Sequence, residues 1–176
     1  MNYSKIIQHD CANGEGWRTT LFVSGCNNHC KGCFNQELQD FNYGEEFTML
    51  TIKSILDMVS DDKINGLSIL GGDPLCQDLN GLLKLTELCK RVRFKNKTVW
   101  LWSGYTWEDI FNPTLSYLSV KTVYVWDLIK NVDVFIDGPF IEEQKDLSLK
   151  WRGSSNQRVI DVQETLRQGK VVLFSE

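Results

Sequence analysis

Three cysteines fall within eight residues of the chain, in the segment Cys26-Asn27-Asn28-His29-Cys30-Lys31-Gly32-Cys33. Thiolates at this C-x3-C-x2-C spacing suit an iron–sulfur cluster, and a four-iron cluster has four corners to fill. Cys26, Cys30 and Cys33 fill three corners and leave one iron without a protein ligand. An open coordination position marks a catalytic metal site rather than a structural one. Two other accounts stay open on these residues alone. A zinc ion could take the three thiolates with His29 or Cys11 as fourth ligand, although zinc sites usually draw on two paired motifs and the chain has no second pair. The thiols could instead be core residues, which fits poorly with neighbours as polar as Asn27, Asn28, His29 and Lys31. Taken alone, His29 reads as a solvated loop residue. Cys89 reads as a core residue of a helix, and Cys11 and Cys76 carry no assigned role.

The chain around this loop has 176 residues, enough for one domain spanning 1–176 with a sizeable core. Hydrophobic residues make up 42% and charged residues 24%, which excludes wholesale disorder. The net charge is −4, and the one basic cluster (Lys90, Arg91, Arg93, Lys95, Lys97) suits a helix C-terminus. A nucleic-acid partner is therefore not expected. No run of 18 apolar residues exists, so no membrane-spanning helix is expected, and the N-terminus lacks the apolar stretch of a secretory signal. The expected location is the cytoplasm, where thiols serve as ligands or core residues rather than disulfides.

The elements that must position the loop follow from periodicity. Residues 19–24 read as a buried strand running into the cysteine segment. Ile52, Ile55, Leu56 and Val59 make residues 51–60 an amphipathic helix. Residues 67–70 form a short strand ending at Gly71-Gly72. Asp78 is expected to cap a second helix in which Leu79, Leu82, Leu83 and Cys89 share a face. Residues 98–102 read as a strand and 106–111 as a short helix. Further strands are expected at 122–126, 132–136 and 171–174. Alternating strands and helices imply an α/β fold, here an open, partial (β/α) barrel of mostly parallel strands, because the chain is too short for eight units. Ligand sites in such sheets lie at the carboxyl ends of the strands. Four polar or glycine-bearing breaks come at those ends: Gly25-Cys26, Gly71-Gly72-Asp73, Ser103-Gly104 and Asp137-Gly138.

Five motifs flank the cysteine loop in order: Asn13-Gly14-Glu15-Gly16-Trp17-Arg18-Thr19, Gly71-Gly72-Asp73-Pro74-Leu75, Trp100-Leu101-Trp102-Ser103-Gly104-Tyr105, Asp133-Val134-Phe135-Ile136-Asp137-Gly138-Pro139-Phe140 and Trp151-Arg152-Gly153-Ser154-Ser155-Asn156-Gln157-Arg158. With them the chain resembles the family that activates anaerobic ribonucleoside-triphosphate reductase, within the radical S-adenosylmethionine superfamily. The resemblance covers roughly residues 3–161. Glu15 stands where that family more often has proline.

The resemblance implies a [4Fe-4S] cluster on Cys26, Cys30 and Cys33, and S-adenosylmethionine bound at the open iron. It implies one-electron cleavage to methionine and a 5′-deoxyadenosyl radical, which takes hydrogen from a glycine of the reductase. It also implies two partners, the large subunit of that reductase and a low-potential, flavodoxin-like electron donor. Gly71 and Gly72 are expected to let backbone approach the ligand, and Asp73 to accept from its ammonium group. Gly32 stands where many superfamily members carry an aromatic residue, so backbone of residues 32–34 (Gly32, Cys33, Phe34) is expected to meet the adenine. Asp137 reads equally as a site carboxylate or as part of a turn. The segment 151–158 reads as a surface loop. Three rival activities remain: an activase of a pyruvate formate-lyase type enzyme, a radical enzyme for a small molecule or tRNA, and a zinc-binding adaptor.

Overall fold

The computed structural model describes residues 1–111 and 120–175. Its elements are β1 (Asn2–Asp10), β2 (Arg18–Val23), β3 (Glu45–Glu46), α1 (Met49–Val59), β4 (Gly66–Gly71), α2 (Leu79–Phe94), β5 (Thr98–Trp102), α3 (Trp107–Phe111), α4 (Val120–Ile129), β6 (Val134–Asp137), β7 (Arg158–Asp161) and α5 (Val162–Gln168). The strands form one sheet in the order β3-β1-β2-β4-β5-β6-β7. Its four central strands, β2, β4, β5 and β6, run parallel. β1 pairs antiparallel with β2 and β3, and β7 antiparallel with β6. The fold is α/β as expected, but the sheet is mixed rather than mostly parallel. Among the described residues no helix is long and apolar enough to cross a membrane.

Side chains alternate between the two faces of each strand. Leu21, Val23, Leu67, Ile69, Val99, Leu101 and Phe135 join Ile52, Ile55 and Val59 of α1, Leu82, Leu85, Leu88, Cys89 and Val92 of α2, and Leu128 and Ile129 of α4 in the main core. Trp100, Val134, Ile136 and Val159 form a second cluster, against which Trp102, Trp151 and Phe174 pack. Because both sets are buried, the central strands read as continuous apolar runs. Arg18 pins the amino ends of three parallel strands together. Its guanidinium donates to Ser68 Oγ (2.7 Å), Leu67 O (2.8 Å) and Thr98 Oγ1 (3.0 Å) and lies 5.2 Å from the Trp100 ring. Burial lowers its pKa to about 10, against the pull of Asp133, Glu15 and Asp10.

The ends of the helices follow local chemistry. Asp78 caps α2 by accepting from Gly81 N at 2.6 Å, as expected. Thr48 and Thr51 form a reciprocal capping box at the start of α1. In α2 the buried stripe includes Leu82, Leu85, Cys89 and Val92, whereas Leu79 and Leu83 are exposed. The face expected for this helix was therefore rotated by about one position.

Residues 122–126, expected as a strand, belong to α4. Their β-branched and aromatic residues favour strands only as a weak prior. Burial of Val125, Leu128 and Ile129 at helical spacing against the core overrides it. Residues 171–174 make a single bridge, Ile160 to Leu173, rather than a strand of their own. β1 was not expected, since its sequence shows no clean alternation and its burial pattern has none.

Candidate metal centre

The carboxyl ends of β2, β4, β5 and β6 surround one cavity of ≈ 410 Å³. Cys26, Cys30 and Cys33 line it, together with Gly71, Gly72, Asp73, Ser103, Gly104 and Gly138. All four breaks expected at the strand ends thus meet on this rim. They are also bonded to one another. Asp73 N donates to Gly25 O (2.9 Å), Gly104 N to Asp73 Oδ2 (2.9 Å), Ser103 N to Ile136 O (3.0 Å) and Gly138 N to Tyr105 O (3.1 Å).

Asp73 is the knot of this rim. Its carboxylate accepts from Asn28 Nδ2 (2.7 Å), Leu75 N (2.8 Å), Ser103 Oγ (2.9 and 3.0 Å) and Gly104 N (2.9 Å). Burial pushes its pKa up, while these donors hold the charged form. Asp73 is only 1% exposed, and both its oxygens accept hydrogen bonds from the protein. Through Asn28 it fixes the cysteine loop, and through Ser103 and Gly104 the end of β5.

Gly71 and Gly72 serve close packing at the base of the loop. Gly71 has φ +113°, and a Cβ there would meet Val23 O at 2.6 Å; one on Gly72 would meet Gly25 O at 2.6 Å and Leu38 O at 2.7 Å. The backbone these glycines approach is that of β2 and the cysteine loop.

Phe34 lines the cavity, with its ring 5.7 Å from Phe140. At Gly32 a Cβ would meet the Glu142 carboxylate at 2.8 Å. Lys31 beside it pairs with Glu142 at 3.0 Å. The segment after β6 therefore leans on the cysteine loop. From that segment come the wall residues Phe140, Trp151, Arg152 and Gln157, members of two of the flanking motifs, beside Trp102 of β5. Trp102 Nε1 donates to Trp151 O at 2.7 Å.

Of the remaining candidates, His29 has its Nδ1 3.0 Å from Gln39 Oε1, and Cys11 is exposed. Cys89 is buried in the core, as expected. Asp137 is 1% exposed and serves as a strut: it pairs with Arg158 and accepts from Trp107 N at 2.8 Å. The motif 151–158, expected as a surface loop, ends inside β7 with Arg158 on this strut. Cys76 is buried, and its Sγ, that of Cys26 and an Asp73 oxygen lie within 4.8 Å of one another. The hydrogen bond between the two thiols pushes Cys26 well up, with burial adding to it, and draws Cys76 down.

The profile of the 4Fe-4S single cluster domain family matches residues 12–160. The anaerobic ribonucleoside-triphosphate reductase-activating protein of enterobacteria phage T4 is 40% identical over 162 residues, 90% of this chain and 93% of that protein. Those of Escherichia coli K12 and Vibrio cholerae are 40% identical over 162 residues and 38% over 160; the alignments cover 90% and 89% of this chain and 97% and 96% of theirs.

The chain belongs to the anaerobic ribonucleoside-triphosphate reductase-activating family.

For a member of this family the donor set is apt. Three sulfur donors on one wall of a partly apolar cavity fit an iron–sulfur cluster, and no second paired motif is available for a structural zinc ion.

Proposed function

We propose that this chain is the radical S-adenosylmethionine activase that installs a glycyl radical on the large subunit of anaerobic ribonucleoside-triphosphate reductase. The observation that carries the proposal is the convergence of Cys26, Cys30 and Cys33 with the strand ends at Gly71–Asp73 and Ser103–Gly104 on one cavity. Cys26, Cys30 and Cys33 would hold a [4Fe-4S] cluster, with one iron left to S-adenosylmethionine. Once bound, that pair supplies one electron to the sulfonium and so a 5′-deoxyadenosyl radical able to take hydrogen from a glycine α-carbon.

The protein's own part is positioning and exclusion of water. The polar rim at Gly71, Gly72 and Ser103 would hold the methionyl end. Asp73 contributes through the rim it fixes, since its own oxygens are already engaged. Backbone of Gly32, Cys33 and Phe34 would border the adenine end. Trp102, Trp151 and Phe140 give that wall a low-dielectric lining, which limits quenching of a primary alkyl radical by solvent. The whole chain, 1–176, works as one domain of the partial-barrel radical enzyme type, in a reducing cytoplasm with a flavodoxin-like protein as electron donor.

Anaerobic reconstitution with iron and sulfide tests this. About four irons per chain should bind, and reduction should cleave S-adenosylmethionine to 5′-deoxyadenosine. Cys30→Ala should abolish both cluster and cleavage. A reduced protein with all three cysteines intact that takes up no cluster would overturn the proposal.

A further inference from the structure

Cys76 is not needed to hold a three-cysteine cluster, yet its sulfur lies within 4.8 Å of Cys26 Sγ. The third member of that group, Asp73, already has its oxygens engaged by Asn28, Leu75, Ser103 and Gly104. What remains is two thiols facing each other. The two segments that carry them are tied together at two points. Asp73 N donates to Gly25 O at 2.9 Å, and Gln77 Nε2 donates to Ser24 O at 3.0 Å. Asn27 N points at Cys76 Sγ itself, 3.5 Å away. A disulfide needs its sulfurs at about 2.05 Å, so the two sulfurs must close by less than about 3 Å to bond. The two thiols differ in access: Cys26 lies on the cavity wall, whereas Cys76 is 5% exposed. An accessible thiol beside a buried one is the arrangement of an attacked and a resolving cysteine.

We propose that, when the cluster is absent, Cys26 and Cys76 close to a disulfide that blocks cluster insertion until a dithiol reopens it. The inference rests on Cys26 being a cluster ligand. With a small-molecule disulfide such as oxidised glutathione as oxidant, Cys26, the thiol that reaches the cavity, gives up its proton in the slow step, attacks one sulfur and releases one glutathione thiolate. The Cys76 thiolate then attacks the Cys26 sulfur of the mixed disulfide, forming the Cys26–Cys76 bond and releasing the second glutathione thiolate. Two protein thiols lose two protons and two electrons, and one glutathione disulfide becomes two glutathione thiols. The product consumes one of the three cluster ligands, and Cys76 contributes to function only as the partner that holds it.

The full chain, stripped of iron by a chelator under argon, is incubated with oxidised glutathione; its free thiols are then alkylated and its peptides mapped without reduction. One linked pair is expected, joining the peptides that contain Cys26 and Cys76. Iron uptake on reconstitution should fall about tenfold or more and return after dithiothreitol. Cys76→Ser keeps all three proposed ligands; after the same treatment it should carry glutathione on Cys26 and no internal link. Cys76→Ala serves if the serine variant fails to fold. A link from Cys26 to Cys30 or Cys33, a Cys30–Cys33 link, or no link at all would overturn the proposal. So would undiminished iron uptake by the oxidised chain. A reduced chain that binds no cluster while the Cys26–Cys76 link still forms would refute the function proposed above and leave the pairing standing.

Discussion

A carboxylate that is 1% exposed and met by four donors does its work by holding those donors in place. Asp73→Asn keeps the shape but turns one oxygen into an NH2 group that must face a backbone N–H. That should cost about 1–3 kcal/mol, read as a lower denaturant midpoint at unchanged slope. Asn28 and Gly104 would lose their common anchor, so S-adenosylmethionine binding to the cluster-loaded protein should weaken as well. Unchanged ligand binding with lowered stability would show that the rim does not depend on this residue. Its place on the cavity rim was legible in the sequence, because the two glycines and the acid come at a strand end, downstream of the cysteine loop. The direction it faces was not, since that depends on donors 30 and 45 residues away.

At the scale of elements, β6, β7 and α3 are tied by one ionic junction. Arg158 of β7 reaches buried Asp137 at the end of β6 and, in a two-pronged contact at 3.0 and 2.6 Å, Glu108 of α3. The Arg158 guanidinium is held well above its ordinary range by these partners, Asp137 first. Removing it leaves Asp137 buried and uncompensated. Arg158→Met should therefore cost about 3 kcal/mol, and Asp137→Leu in the same chain should return part of that loss. Thermal unfolding of the single and double variants measures both steps. A double variant no more stable than Arg158→Met would show that the unpaired charge is not the source of the loss. The sequence marked Asp137-Gly138 as either a turn or a site; only the antiparallel return of β7 beside β6 supplies the arginine that decides between them.

Across the whole molecule, the cavity wall depends on the tail. Phe174 packs edge-on to Trp100 with ring centres 5.3 Å apart and lies 6.2 Å from Trp151, which lines the cavity. The tail is held by Phe174 N to Val159 O at 2.8 Å and Asp161 N to Val172 O at 3.0 Å. Phe174→Ala should cost about 2 kcal/mol, less than the 3–5 of a fully buried ring. It should also weaken S-adenosylmethionine binding through Trp151 while iron uptake by the three cysteines stays intact. Equal loss of both would place the effect on the fold as a whole rather than on that wall.

The sequence by itself determined what is local. The spacing of Cys26, Cys30 and Cys33, the glycine and acid after a strand, the cap at Asp78 and the alternation of apolar strands with helices each depend on a few neighbouring residues. From them came the α/β class, the four breaks and the family. Tertiary structure decided what depends on distant partners. Residues 120–129 became a helix because the core buried Val125, Leu128 and Ile129, against the strand preference of their neighbours. Asp73 became the knot of the rim, and Cys76, without a role in one dimension, came to face Cys26 across fifty residues of chain. Short-range spacing fixes which atoms can do the chemistry, whereas long-range packing fixes which of them still have free lone pairs and which have a neighbour.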